Sequence, residues 1–244
     1  MTDTQAKLTF SYSDAPQKSP EWLEIKRGKI GASSLWRWLS VSKAKATTGK
    51  PLKERLDYEK ELLFERQFNT SFEVWVSGAM QDGIDFEDFA AKQYEAIKNV
   101  KLLEVGCFYN EYFVASPDRK IVNKAAGIEV KILKDNSFTE VLMSGVPDKH
   151  WKQIQGQLWA AQWEYVDYVA VNFNTKKLAI VRVLPDLEFH EYLELSVQEQ
   201  LVTEPFTLDN VYDIVGELPE GSDGMGGAHL DRSDSNLSTN DWSN

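Results

Sequence analysis

Pro117-Asp118 and Glu129-Val130-Lys131 stand ten residues apart, the last two of the ten being Gly127-Ile128, and they offer two carboxylates and an amine. On a strand, side chains alternate faces, so Glu129 and Lys131 share one side while Ile128, Val130 and Ile132 share the other. The aliphatic set can face a core, leaving the acid and the base together on a polar surface. A hairpin-like return from Asp118 would then bring a second carboxylate beside Glu129. Two carboxylates held close repel each other and favour a hard divalent cation with oxygen ligands, and a nearby ammonium can orient or deprotonate the attacking water. That assembly suits hydrolysis of a phosphodiester. The alternative is a solvated surface strand with Pro117-Asp118 as an ordinary turn. For an isolated E-x-K that alternative wins. Here the Pro-Asp at this distance and the wholly aliphatic opposite face favour the chemical reading.

Such a trio needs strands to position it. Residues 100–109, 112–115 and 126–133 are short, apolar-rich and separated by turn residues, as strands should be. A helix over 149–163 follows Val146-Pro147-Asp148, and strands over 165–173 and 178–184 flank Asn174-Thr175-Lys176 as an antiparallel hairpin. Upstream, helical spacing marks a short segment from Glu21 to Gly28 and another opening at Ala32-Ser33, with Ser33 or Ser34 as N-cap. Longer helices are predicted over 51–68 and 75–97, and downstream over 187–201 with a further turn around 208–215. The expected fold class is α/β (α+β), a central mixed sheet flanked by helices. Residues 1–19 read as a polar lead-in, 20–215 as the folded domain, and 216–244 as an acidic tail too poor in apolar anchors to order itself.

At 244 residues the chain can bury a substantial core without staples. The single cysteine, Cys107, excludes an internal disulfide and any cysteine-held cluster, and a reducing cytoplasm fits best. No apolar stretch approaches the length of a membrane span. The net charge of −11 argues at first against nucleic acid. The objection weakens on inspection. Glu217, Glu220, Asp223, Asp231, Asp234 and Asp241 against Arg232 alone load much of the excess onto the tail, and Lys26, Arg27, Lys29 and Arg37 concentrate base in one short stretch.

Together these features resemble the PD-(D/E)xK nuclease signature and, within it, the lambda-exonuclease or YqaJ-type viral recombinase family. Three further blocks carry the resemblance, in the family's order. They are Trp22-Leu-Glu-Ile-Lys26-Arg27-Gly28-Lys-Ile30-Gly-Ala32-Ser33, Gly83-Ile-Asp-Phe-Glu87, and Gln153-Ile-Gln155-Gly-Gln157-Leu158. The resemblance implies a restriction-endonuclease-like core and a 5′-to-3′ double-strand DNA exonuclease that leaves 3′ overhangs for a single-strand annealing protein. It implies two magnesium or manganese ions on Asp118, Glu129, the Val130 carbonyl and Glu87, with Lys131 assisting the attacking water. Lys26 stands where the family has a phosphate-binding arginine, so Lys26 or its neighbour Arg27, with Ser33, would hold a terminal 5′-phosphate. The family implies ring-shaped homotrimers threaded by duplex ends, no membrane partner, and a phage-encoded protein in a bacterial host's cytoplasm. An endonuclease of the same fold, or an inactive DNA-end-binding module, are the competing readings.

The glutamines have a physical logic beside the resemblance. Neutral amides can bond a phosphate or a metal-bound water without adding charge, which assigns Gln153 and Gln157 to the catalytic set and Gln155 to the DNA phosphates. Gln153 and Gln157 share a helical face and Gln155 does not, so at least one of the three is expected to be merely exposed. His150, one turn before Gln153, is a weaker companion.

Overall fold

The computed structural model describes residues 7–70 and 78–198, with the backbone alone for 78–85. In chain order the elements are β1 (Ser11–Ser13), α1 (Pro20–Lys26), β2 (Ile30–Gly31), a 3-10 turn (Ala32–Ser34), α2 (Leu35–Trp38), α3 (Lys53–Phe68) and α4 (Gly78–Lys98). They continue with β3 (Leu102–Glu104), β4 (Cys107–Tyr109), β5 (Phe113–Ala115), β6 (Arg119–Ile121), β7 (Ala126–Leu133), α5 (Asp135–Ser144), α6 (Asp148–Ala161), β8 (Tyr165–Asn172), β9 (Leu178–Val183) and α7 (Leu187–Gln198). The strands build two mixed sheets, ordered β1-β4-β5-β2 and β3-β6-β7-β8-β9.

The larger sheet is the frame of the molecule. β7 lies at its centre, antiparallel to β6 and parallel to β8. Parallel neighbours need a crossover, and α5 and α6 supply it. Ile128, Val130 and Val169 face a core shared with Ala90 and Tyr94 of α4, while Tyr168 and Ala170 face a second core shared with Phe138 of α5 and Ile154 and Leu158 of α6. The sheet is thus covered by helices on both sides. A third core joins α2, α3, α6, α7 and β5 around Leu35, Trp38, Phe113 and Leu193.

Several departures from the sequence expectations have physical causes. Residues 100–109 do not form one strand: β3 joins the larger sheet and β4 the smaller. The break falls at Gly106, where a Cβ would lie 2.2 Å from the Ser13 carbonyl oxygen. The stretch before Pro20 supplies β1, which pairs antiparallel with β4, and Leu8 and Phe10 pack on the third core. β1, β2 and β6 are too short to show a two-residue period, and α5 follows β7 after a single residue with only Phe138 and Val141 buried. Neither Ser33 nor Ser34 caps α2 through its side chain; Ser34 occupies the cap position, while Ser19 does cap α1 by accepting from Trp22 N at 3.2 Å. Among the described residues no helix is long and apolar enough to cross a membrane. The 216–244 tail, the turn around 208–215, residues 199–201 of the expected last helix and residues 75–77 of the expected fourth helix lie outside the described residues.

Candidate active site

β7 delivers the acid and the amine by simple alternation. Glu129 is only 1% exposed, so its carboxylate has lost water and needs donors. It has three. Lys131 Nζ lies 2.5 Å from Oε1, Gln153 Nε2 donates to Oε1 at 2.6 Å, and Gln157 Nε2 donates to Oε2 at 2.6 Å. The two glutamines are one helical turn apart on α6, as their spacing predicts. Gly156 between them lets α6 close on the turn before α2: a Cβ there would stand 3.0 Å from Phe113 and 3.2 Å from Leu35.

β6 delivers the second acid. Arg119 pairs with Ile128 and Lys120 with Gly127, so Asp118 lies just past the end of that ladder, and its Oδ2 accepts from Val130 N at 2.6 Å. The N–H and C=O of one strand residue leave on the same edge, so the Val130 carbonyl also emerges beside Asp118 where strand pairing has stopped. Burial pushes the Asp118 carboxyl well above the usual carboxylate range, and the Glu129 charge pushes it further, against Lys131 and the Val130 N–H. Burial pulls the Lys131 ammonium down, but Glu129 and Asp118 outweigh it and leave its pKa above the ordinary lysine value. Lys131 is therefore a charged donor in this arrangement.

The loop that presents Asp118 is braced from the N-terminal segment. Trp22 Nε1 donates to Ser116 Oγ at 2.9 Å, and Gln17 Nε2 donates to the Pro117 carbonyl at 2.8 Å. Sequence reasoning missed Gln17, which sits in the stretch read as a lead-in. It also missed Arg119, whose only signal is a base directly after Pro-Asp. Glu87, expected to reach the cation site, accepts from Arg119 Nη1 at 2.5 Å. Its charge still contributes to raising Asp118.

These atoms fit a hard divalent cation. The Asp118 and Glu129 carboxylates and the Val130 carbonyl are all oxygen donors. The Gln157 side-chain oxygen, buried and with no partner among the described residues, is a further acceptor left open. Among the described residues no group of three or more Asp, Glu, His or Cys side chains makes a cation site by itself.

The remaining expected residues divide. Gln155 is the correction: it is buried, its Nε2 donates to the Leu184 carbonyl, and its Oε1 accepts from Asp186 N and bonds His190 Nε2. Its amide is consumed inside the fold, so it does not face a phosphate, and none of the three glutamines is exposed. His150 Nδ1 lies 2.8 Å from the Tyr168 hydroxyl. Burial, then the Lys131 charge, pulls His150 down to about 4. Lys26, Arg27 and Ser33 line one cleft of about 430 Å³ with Lys29 and Arg37. Arg37 is paired with Glu61 at 2.6 Å, Lys26 Nζ lies 4.1 Å from the centre of the Trp22 ring, and Arg27 Nη1 donates to Asn69. The cleft is a local basic spot on an acidic chain.

The sequence pattern of the YqaJ-like viral recombinase domain matches residues 21–164, which is more than half of the chain and includes Asp118, Glu129, Lys131 and the glutamine helix. The chain belongs to this family. No protein of curated function is similar enough in sequence to be matched. Among solved structures, an alkaline exonuclease from Laribacter hongkongensis is similar with a TM-score of 0.64 at 24% identity, over 75% of this chain and 91% of that one. The same exonuclease in complex with dAMP gives 0.62 at 24%, with the same coverage. A phage-related exonuclease from Haemophilus somnus 129PT gives 0.57 at 17%, over 72% and 96%. At these identities the likeness is one of fold, and it agrees with the mixed α/β architecture. This YqaJ-like fold thus matches the class expected from the strand and helix periods.

Proposed function

We propose that this YqaJ-like protein is a divalent-cation-dependent DNA exonuclease that degrades duplex DNA 5′-to-3′ and leaves 3′ single-stranded overhangs for strand annealing. The observation that carries the reading is the convergence of Asp118, Glu129 and Lys131 at the end of the β6–β7 ladder, with Gln153 and Gln157 fixing Glu129. Two ions, magnesium or manganese, held by Asp118, Glu129, the Val130 carbonyl and Glu87, would supply Lewis-acid activation of the attacking water and of the leaving oxygen.

The chain's own groups do the rest. Lys131, held as an ammonium, orients the nucleophile and offsets charge gathering on the phosphate. Gln153 and Gln157 hold the Glu129 carboxylate without adding charge, which keeps the site's negative potential for cations. The Lys26, Arg27 and Ser33 cleft takes the terminal 5′-phosphate. A lysine meets it as a point charge rather than a fork, so dependence on that phosphate is weaker than an arginine would give. A homotrimeric ring around the duplex, feeding a single-strand annealing protein in a bacterial host's cytoplasm, reconciles the net charge of −11 with DNA in an enclosed channel. Support comes from family membership and from the shared fold of two exonucleases.

The test uses linear duplexes labelled at either end, with and without 5′-phosphate, in magnesium and in chelator, beside circular duplex. Cation-dependent loss of the 5′ label with circles left intact is the expected result. Cleaved circles point to an endonuclease of the same fold. A chain that binds ends yet degrades nothing in magnesium or manganese defeats the catalytic reading.

A further inference from the structure

We propose that Arg119 is a positioning residue that fixes Glu87 of α4 relative to Asp118 and thereby strengthens divalent-cation binding at the site. The inference rests on the cation-dependent reading above. Arg119 Nη1 donates to Glu87 Oε1 at 2.5 Å and to the Asp118 carbonyl at 2.7 Å, and Nη2 donates to Asp88 Oδ1 at 2.8 Å. A further acid, Glu104, lies 3.9 Å away.

A surface ion pair contributes little, but this one differs in three respects. The Arg119 side chain is only 14% exposed. Its backbone is pinned by pairing with Ile128, one residue from Glu129. One nitrogen bonds both the α4 acid and the main chain of Asp118, so the guanidinium joins the helix to the loop that carries the second acid. The second nitrogen holds Asp88 of the same helix, so the guanidinium grips α4 at two points, and it stays charged at any working pH. The bond occupies Oε1 of Glu87, and among the described residues Oε2 accepts no hydrogen bond. Carboxylates that bind a cation are typically held in this way by an outer partner, whose loss weakens binding.

The experiment titrates the full chain with Mn2+ alone, following free Mn2+ by electron paramagnetic resonance, with Mg2+ calorimetry as a second measure and cation-free thermal unfolding as a check of folding. Arg119→Ala should weaken Mn2+ binding by about ten- to a hundred-fold. Arg119→Lys should recover part of the loss, since one ammonium can pair with Glu87 and the Asp118 carbonyl but lacks the second nitrogen that holds Asp88. In a Glu87→Gln background, which is itself weaker than the parent, Arg119→Ala should add nothing. Parent-like or tighter binding by Arg119→Ala overturns the proposal, as does an equal loss with and without Glu87. If Arg119→Ala does not fold, Arg119→Lys decides, and parent-like binding there overturns it. A Glu129→Gln chain that binds Mn2+ as the parent does would instead overturn the site reading underneath.

Discussion

Glu129 on β7 and Asp167 on β8 are both 1% exposed, lie on neighbouring strands and face opposite sides of one sheet, yet their surroundings differ in kind. Asp167 accepts from Tyr94 OH at 2.7 Å and from Arg182 at 2.8 Å and 3.0 Å, and Arg182 stacks 3.6 Å from the centre of the Tyr165 ring. Burial raises its carboxyl, but Arg182 and Tyr94 outweigh that and hold it below the usual range. Among the described residues one acid meets one base and a hydroxyl. Around Glu129 there is one ammonium and two neutral amides for two acids, and the second acid, Asp118, is pushed well up. On the proposed function, this contrast separates a structural buried acid from a reactive one. Neighbours that exhaust the charge make a clamp, and neighbours that leave an excess make a place for an added cation.

Crossing the two sites breaks the comparison if it is wrong. The largest effect belongs to Glu129→Gln, which should lower nuclease turnover by at least about a thousand-fold while thermal stability holds or rises, since one of two crowded charges is gone. A large loss of melting temperature with turnover intact would reverse the assignment. Arg182→Ala should do the opposite. It strands a buried carboxylate and should destabilise by about 3 kcal/mol, at the low end for broken buried pairs because Arg182 itself is half-exposed, with activity per folded molecule retained. Denaturant unfolding beside the same activity assay separates these outcomes.

A smaller effect sharpens the picture around Lys131. His150 ordinarily titrates near 6.5, and the fold pulls it down to about 4. Between those values the unfolded chain binds the proton first, so stability falls as pH drops from 6.5 toward 4 and is fully present above that window. His150→Gln should flatten part of this slope in a pH series of melts. His190, also lowered by burial, contributes in the same direction. A slope unchanged in His150→Gln would place His150 in water.

The central trio was legible because strand alternation is a strong rule: Ile128, Val130 and Ile132 on one side fixed where Glu129 and Lys131 had to point. The pairing of Gln153 with Gln157 followed from helical geometry for the same reason. Gln155 was not legible, because its partners, the Leu184 carbonyl, Asp186 N and His190, lie about thirty residues away and only tertiary packing brings them in. β1, β2 and β6 carry too few residues for a period to register. Arg119 illustrates a further limit. Its type was plain, but its bonds depend on α4 bringing Glu87 and Asp88 beside it, which no local pattern encodes.

The most direct test of the account compares the parent with Lys131→Ala on 5′-labelled linear duplex in magnesium, with end binding and folding measured on the same preparations. The account predicts that the variant folds, binds ends as the parent does, and releases nucleotides about a hundred- to ten-thousand-fold more slowly. A Lys131→Ala chain as fast as the parent would contradict it.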